Sequence, residues 1–600
     1  VWKGGIGVSG VLSESVSQAQ YRARTEVLRC LLILLSEPLF QTPGEYQEAP
    51  CSWLSHFTNG EVCHTANLFS SLMSMAFSYD PVGWGVPYGG YFSSGTEEEL
   101  VDLALQMLCV VMDFEPNIGE QADTVGTLVK EKEVTQSPAR TRHYNVYRSM
   151  MQRISKDTEI DLIFAGIVRL LSTMYQANQT YLPHSFRSVG FFQEALVLLW
   201  HLLTLNEAFT SRVAEELDTN QIMLPVVYLL QTAQQAPNLI GLLHTASFVL
   251  LVLSSERSFA VRLNEPYRGR IALAIPQFQG CHADVLTLVL HKVISESIPK
   301  KQSDALAEML LTVLCNISPY VKCFAVESCL KLLSLLERCS RPAYIFRSPF
   351  THHGLMFLLE MVNNIIQYQF EGNAMLVYSV LRQRDCFHQL SGLTLPSNLL
   401  QPVVGSHMPS EAPTEQEDHT AEESAQQQDQ QQQQGPREQE QHQAAEESAQ
   451  DRDHDNCHKQ EKDQEQGSED APETEGPTIE MTTPEEPSLW VPTQAWLDGV
   501  KKKLPLQAVL CLVNHLGPRI EAIARKHDVT GHDEVIKYIR QTTMVGILPV
   551  PHPISIRTYQ ASSYTAMWFT SYMWGVIFSR SQRMPMYDWT KIRLVVISSQ

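Results

Sequence analysis

A few stretches of this 600-residue chain place residues that could bind a metal or a cofactor at a suitable spacing. Residues 451–458 alternate Asp with Arg, His, Asn and Cys, but an EF-hand loop needs Gly at its sixth and Glu at its twelfth position. Asn456 and Lys462 stand there instead, so we expect only weak ion binding by the carboxylates. Gly5–Gly10 matches the dinucleotide pattern, but no strand-like run precedes it. The sequence therefore predicts no metal site and no cofactor.

The residues that could act as a nucleophile or a base are scattered. His352, His353, His388 and His552 have no Cys or acid at ligand or triad spacing, and no Gly-x-Ser-x-Gly elbow occurs. The twelve Cys include no Cys-x-x-Cys pair and mostly lie in apolar runs, which indicates buried thiols in a reducing compartment. We therefore expect a protein that is not an enzyme, whereas a hydrolase would need a nucleophile and a base that the fold brings together.

Most of the net charge of −21 lies in one segment, Gly405–Pro487. The whole chain has 66 acidic and 45 basic residues, and this segment holds 24 of the acidic and four of the basic ones. The rest of the chain therefore has 42 acidic and 41 basic residues. Gly405–Pro487 contains no Leu, Val, Phe, Tyr or Trp, and so polar a segment cannot bury enough apolar surface to offset the entropy of ordering it. We predict a disordered acidic, Gln-rich insert at 401–488, between a helical array at 1–400 and a helical block at 489–600. The near-neutral remainder has no basic footprint for nucleic acid.

Helical periodicity dominates the first 400 residues. Ile160–Met174 and Leu306–Ile317 keep apolar residues on one face at helical spacing. We predict further helical runs at Val321–Leu336 and, after the acidic segment, at Leu506–Leu516 and Ile520–Lys526. Consecutive helices with short connectors must stack on their neighbours, because none can bury its apolar face alone. We predict an all-α fold, an α-solenoid of the armadillo or HEAT type, with a compact helical bundle as the alternative. The longest apolar run, Leu239–Leu253, is shorter than a membrane span and is expected to be a core helix.

Loops and aromatic stretches supply the candidate interaction or structural motifs. Tyr79–Gly90 is an aromatic loop rich in Gly and Pro that either packs over the helices or presents its rings to a partner. Arg257–Gly280 is expected to be a long extended crossing. Ala566–Phe578 is so rich in aromatic residues that it must pack, and we predict that it docks against the end of the helical array. The candidate residues in these and similar stretches are Tyr79, Asp80, Pro81, Trp84, Arg257, Arg262, Tyr368, Phe370, His552, Trp568 and Trp574.

Sequence blocks on both sides of the acidic segment resemble the high-temperature-induced dauer-formation protein family, which is related to dymeclin. They follow the family order across essentially the whole chain and are residues 79–83, 87–88, 256–264, 266–267, 282–284, 363–373, 503–507, 548–553, 565–569 and 572–576. The resemblance implies a peripheral protein on the cytoplasmic face of Golgi and trans-Golgi network membranes. It also implies a role in secretory cargo sorting and in dense-core granule biogenesis. The family brings no agreed catalytic residues.

The membrane attachment of family members involves an N-terminal myristoylated Gly. This chain starts at Val1 instead of Met-Gly, so we expect an N-terminally truncated member whose membrane association would need an upstream N-terminus.

Two hypotheses follow from the resemblance and from the absence of a recognisable reactive site. The first is a non-enzymatic trafficking scaffold whose partners are unidentified proteins of the secretory pathway. The second is a scaffold that recruits or regulates an enzyme, such as a deubiquitinase, which relatives in the family suggest.

Deleting Gly405–Pro487 tests the predicted role of the acidic segment in the architecture. We expect little change in the thermal midpoint, because the segment has few apolar residues with which to pack. Limited proteolysis of the full chain should cut first inside the segment. A fall of several degrees in the midpoint would mean that it packs on the helices, since about 1 kcal/mol shifts a large protein by only about 2–4 °C.

Overall fold

A computed structural model describes residues 5–7, 17–42, 45–46, 51–81, 95–115, 144–179, 189–269, 271–298, 304–395, 490–526, 531–551, 553–581, 586–588 and 590–592. These residues form 22 α-helices and no β-strand, apart from an isolated antiparallel bridge between Pro266 and Cys281. The prediction of an all-α array of stacked helices is confirmed.

The helices are numbered in chain order. In the first half they are α1 Gln18–Leu34, α2 Ser52–Thr58, α3 Thr65–Ser78, α4 Gly95–Asp113, α5 Val146–Gln152, α6 Asp157–Gln179, α7 Phe192–Leu205, α8 Glu207–Glu215, α9 Asn220–Gln234, α10 Ile240–Ser255 and α11 Arg257–Arg262. In the second half they are α12 His282–Ser297, α13 Asp304–Ile317, α14 Val326–Cys339, α15 Pro342–Ile345, α16 His352–Tyr368, α17 Ala374–Arg382, α18 Arg384–Ser391, α19 Gln494–Lys503, α20 Gln507–Lys526, α21 Gly531–Gln541 and α22 Ser563–Ser581.

The longer helices form two rows in which each helix packs on the one before it and the one after it. The first row is α1, α4, α7, α10, α13, α16 and α20, and the second row is α3, α6, α9, α12, α14, α17 and α21. Consecutive helices pair across the rows, as α3 with α4, α6 with α7, α9 with α10 and α12 with α13. Each pair buries its apolar faces against its neighbours, which is the packing of an α-solenoid.

Two central helices of the first row, α7 and α10, are apolar on more than one face, because they meet neighbours on several sides. All ten residues from Glu194 to Leu203 in α7 are buried. In α10 the buried residues likewise lie on every face, from Leu242 to Ser254. Such helices can exist in water only when other elements cover them completely.

The apolar run predicted as a core helix forms α10. Among the described residues, Pro237–Ser255 is the one helical stretch long and apolar enough to cross a membrane, and half of its most apolar window is buried. α10 packs against α7, α9 and α13. These contacts on both rows are those of a core helix.

Three local predictions need correction. Arg257–Arg262, predicted as extended, forms α11, because Phe259 and Leu263 are one helical turn apart and both fully buried. The run predicted at Val321–Leu336 becomes helical only at Val326, because side chains from other segments bind the preceding backbone. The two runs predicted between Leu506 and Lys526 form one helix, α20, in which Pro518 removes a single backbone donor.

Helices from the two sides of residues 396–489 are neighbours in both rows. α20 packs on α16 in the first row, and α21 packs on α17 in the second. The acidic segment itself lies outside the described residues, and the boundaries proposed for it remain a prediction.

A glycine at the contact between α3 and α6 tests the packing of the second row. A Cβ added at Gly166 would lie 2.7 Å from the backbone oxygen and 2.8 Å from the Cα of Phe77. Gly166→Ala should therefore force the two helices apart and lower the free energy of unfolding by about 1–3 kcal/mol. Urea unfolding followed by circular dichroism measures this change.

Gly499→Ala is the matched control, because it lies within α19 and a Cβ there meets no atom within 4 Å. It should raise stability by about 0.5–1 kcal/mol, since alanine lowers the entropy cost of helix formation. Equal effects of the two substitutions would contradict the close α3–α6 contact.

Candidate functional site

Contrary to the prediction, the C-terminal segment does not dock at the end of the array but crosses the first row in the reverse order of its helices, because its aromatic rings are buried against α7 and α10. Arg557 is the anchor of the non-helical stretch before α22: its guanidinium donates to both carboxylate oxygens of Glu360 in α16, at 3.0 and 2.6 Å. Its backbone N–H donates to Oδ1 of Asn316 in α13 at 2.9 Å, and its carbonyl accepts from Nδ2 of Asn316 at 2.8 Å. Arg557 also lies 4.7 Å above the ring of Phe357. The stretch is thus fixed to α13 and α16.

Aromatic residues of α22 then pack on α7 and α10. Phe569 is fully buried and stacks on Trp200 of α7, with ring centroids 3.8 Å apart. Trp568 packs edge to face with Phe248 of α10 at 5.8 Å. The ring of Tyr572 packs directly on Gly241 of α10. A Cβ added at Gly241 would lie 2.2 Å from Cε2 of Tyr572, so the ring fills the space that a larger side chain would need. Aromatic stacking of this kind adds to the free energy of area burial.

A buried ion cluster fixes the end of α22. Arg580 lies 2.7 Å from the carboxylate of Asp102 in α4 and donates to Glu194 in α7 at 2.8 Å. Glu194 is completely buried, and Gln106 donates to Asp102 at 2.8 Å. Burial and then the charge of Glu194 raise the pKa of Asp102, and burial raises the pKa of Glu194, while Arg580 opposes both shifts. Without Arg580, two carboxylates would face each other inside the protein.

A second contact joins the end of α4 to α22. The hydroxyl of Thr570 donates to the carboxylate of Asp113, and both residues are buried. Burial raises the pKa of Asp113 from 3.8 to about 7, although the Thr570 hydrogen bond and the charge of Arg148 oppose the rise. The chain's own C-terminal helix therefore occupies this part of the first row.

A further candidate region lies on the second row, where the half-buried Asn264 and the buried Asp284 and Asn373 hold residues 320–325 in place. Asn264 accepts from the Lys322 N–H at 2.8 Å and donates to the Tyr320 carbonyl at 2.9 Å. Asp284 accepts from the backbone N–H groups of Cys281 and Ala325, at 2.9 and 2.8 Å. These bonds satisfy backbone groups that no helix or sheet pairs.

Asn373 completes this clamp from the loop before α17. It accepts from the Phe324 N–H at 2.9 Å and donates to the Val321 carbonyl at 3.0 Å. Next to it, a Cβ added at Gly372 would lie 1.8 Å from the Lys322 carbonyl oxygen, so the two backbones touch. The contacts bring together three stretches that are distant in sequence, 264–284, 320–325 and 372–375.

These stretches line a surface groove of about 1070 Å³, together with Val326 and Glu327 of α14 and Arg540 of α21. The second-row groove, as we call it, has an apolar lining that includes Ile271, Leu273, Phe278, Val326 and Met375. At Met375 it continues into a smaller depression of about 470 Å³ that includes Leu330, Tyr378, Arg382 and Ile536, and the name covers both parts. Together they exceed the roughly 300–1,000 Å³ of small-molecule pockets.

The candidate residues from the sequence have diverse positions. Tyr79 is buried with its ring 6.1 Å from that of Phe191, and Pro81 is buried beside the exposed Asp80. Arg262 donates to the Glu215 carbonyl, and Arg257 is exposed. Trp84 and His552 lie outside the described residues.

The remaining candidates are on or beside first-row contacts. Tyr368 ends α16 and Phe370 follows it, both half-buried. Trp568 packs on α10, and Trp574 is buried within α22. Trp568 and Trp574 share α22, and Arg257 and Arg262 share α11, but the described candidates do not meet in one site.

Sequence reasoning missed the groove itself. Asn264, Asp284 and Asn373 lie within the blocks that carry the family resemblance, which is a signal that could have singled them out. The groove cations Lys322, Arg382 and Arg540 carry no such signal, because only the stacking of the helices places them on one surface.

Nothing in the described residues assembles reactive groups. They contain no cluster of three or more His, Cys, Asp or Glu that could hold a metal ion. Burial raises the pKa of the Cys51, Cys281, Cys315 and Cys339 thiols to about 12, so these thiols stay protonated and are poor nucleophiles.

Comparison with known proteins gives the relationship of the chain. The family model described as Dymeclin: Dyggve-Melchior-Clausen syndrome protein matches residues 10–576. The chain belongs to the dymeclin family. It is 34% identical to Protein HID1 of Mus musculus and to Protein HID1 of Homo sapiens, over all of this chain and 76% of each relative. The resemblance inferred from the sequence blocks is thereby confirmed.

A more distant relative is the Ubp5-interacting protein ftp105 of Schizosaccharomyces pombe. It is 22% identical over 70% of this chain and 45% of its own length. No solved structure matches the chain. The family is not a known enzyme family.

The buried carboxyl of Asp113 predicts a pH dependence of stability. Folding raises the pKa of Asp113, so its contribution to the free energy of unfolding is fully present below about pH 4. This contribution is lost as the pH rises to about 7. Asp113→Asn keeps an acceptor for Thr570 and cannot ionise. The free energy of unfolding of the variant relative to the parent should therefore rise from about pH 4 to 7 and then level off.

Urea unfolding of both proteins across this pH range measures the difference. Asp498→Asn, on an exposed position of α19, is the matched control for the removal of one carboxylate. A flat difference for Asp113→Asn would mean that Asp113 is not held in a buried contact with α22.

Proposed function

We propose that this dymeclin-family chain is a non-enzymatic trafficking scaffold. It acts at the cytoplasmic face of Golgi and trans-Golgi network membranes, in the sorting of secretory cargo and the biogenesis of dense-core granules. The observation that carries the proposal is family membership over residues 10–576, with 34% identity to the relatives named Protein HID1. The two rows of helices support it, because a stacked helical array offers extended surfaces to protein partners.

A second candidate function is the recruitment or regulation of an enzyme such as a deubiquitinase at Golgi membranes. It is favoured by one specific observation, the relative described as a Ubp5-interacting protein. The scaffold is the same in both candidates, and they differ in whether a bound partner has enzymatic activity.

Localisation and loss of function test the proposal. The protein, expressed with its natural N-terminus in a neuroendocrine cell line, is expected to coincide with trans-Golgi network markers. Its depletion should lower the amount of granule cargo that is stored. Distribution away from Golgi markers, together with unchanged granule cargo, would contradict the proposal.

Affinity purification separates the two candidates. The purified complexes are treated with a ubiquitin probe that labels active deubiquitinases covalently. A labelled enzyme that is retained with the protein supports the second candidate, and complexes without any labelled enzyme count against it.

A further inference from the structure

The second-row groove combines exposed apolar side chains with unpaired positive charge. Val326 is 43% exposed and Leu330 is 56% exposed, one helical turn apart on α14. Lys322, Arg382 and Arg540 are exposed at the edge of the groove and form no ion pair with any described residue. Exposed apolar surface next to unpaired charge is typical of a binding site.

The positive charge is a local feature of the groove. The part of the chain outside Gly405–Pro487 has 42 of the 66 acidic residues and 41 of the 45 basic residues, so its net charge is near zero. The described carboxylates that line the groove are Asp284, which is buried with both oxygens bonded to backbone N–H groups, and Glu327, which is half-buried. Three exposed cations therefore outnumber the accessible carboxylate, and the groove is complementary to an acidic ligand.

The apolar lining decides which acidic ligand fits. A small inorganic anion would leave Val326, Leu330 and Met375 exposed to water, so the ligand must bring apolar groups of its own. The chain's acidic segment has the right charge, but Gly405–Pro487 contains no Leu, Val, Phe, Tyr or Trp. A segment of another protein that combines large apolar side chains with Asp or Glu satisfies both requirements.

We propose that the second-row groove binds a peptide segment of a partner protein in which large apolar residues are flanked by Asp and Glu. Its apolar side chains lie on Val326, Leu330 and Met375, and its carboxylates meet Arg382 and Arg540. The inference rests on the proposed role as a scaffold, and it assigns that role a surface and a class of partner. Electrostatic attraction at the rim raises the rate of association, and apolar contact in the groove supplies most of the affinity.

Selection of peptides on the purified full chain tests the proposal. A library of random peptides displayed on phage is selected on the parent protein, and the recovered peptides are synthesised with a fluorescent label. Their affinities are measured by fluorescence anisotropy at low and high salt. The recovered peptides should combine large apolar residues with Asp or Glu, and their binding should weaken at high salt.

Three variants locate the binding site. The double variant Arg382→Glu/Arg540→Glu should weaken binding by about tenfold or more, because it replaces attraction with repulsion. Leu330→Ser, at an exposed position, should weaken binding without a loss of salt dependence. The matched control Lys502→Glu/Lys503→Glu changes the same amount of charge at exposed positions of α19 and should leave affinity unchanged. Circular dichroism checks that each variant folds.

Other outcomes overturn the proposal. If no recovered peptide depends on Arg382 and Arg540, the groove is not a peptide site. If a synthetic peptide of residues 445–470 binds as tightly as the selected peptides, and its binding also depends on Arg382 and Arg540, the occupant is the chain's own acidic segment. If vesicles with phosphatidylserine bind the parent but not the double variant, and peptides do not, the ligand is a lipid surface. Peptide binding is measured on purified protein, so its failure leaves the Golgi assignment untouched.

Discussion

The contact between the C-terminal segment and the first row is the interaction on which the rest of the structure depends. The first-row helices α7 and α10 have buried residues on every face, so neighbouring row helices alone do not cover them. The stretch around Arg557 and the aromatic face of α22 supply that cover, over α16, α13, α10, α7 and α4 in turn. A stacked array would otherwise be held only by contacts between adjacent helices.

This arrangement couples regions that are far apart in sequence. Arg580 reaches Glu194, and Thr570 reaches Asp113, across separations of 386 and 457 residues. A buried carboxylate costs much free energy when it is unpaired, so Glu194 and Asp102 depend on the arrival of Arg580. Helices near the start of the chain thus reach their stable packing only with the last helix in place. Such long-range contacts are expected to make unfolding of the array more cooperative than in a simple row of repeats.

Covering the first row also determines where partners can bind. Because the chain's own residues occupy the first row, the second row and its loops carry the groove. The wall of this groove is a rigid backbone segment, since Asn264, Asp284 and Asn373 together bond the polar groups of residues 320–325. A preformed wall lowers the entropy cost of binding a flexible segment.

Fold class, family and charge distribution are local or additive properties, so the amino-acid sequence alone was enough to predict them. Helical periodicity predicted all-α stacking, and the aromatic density of Ala566–Phe578 required that this stretch pack. Local reasoning was wrong at Arg257–Arg262, which is helical through the burial of Phe259, and at 321–325, where side chains from distant loops bind the backbone.

The helices against which α22 packs, and the cations that lie on one surface, follow from tertiary packing. Lys322, Arg382 and Arg540 are separated by up to 218 positions in the numbering and lie on different elements, so no spacing in the sequence encodes their proximity. They lie on one surface because helices that are distant in sequence stack on each other. Burial of apolar area stabilises this stacking, whatever charges lie at the edge of the contact.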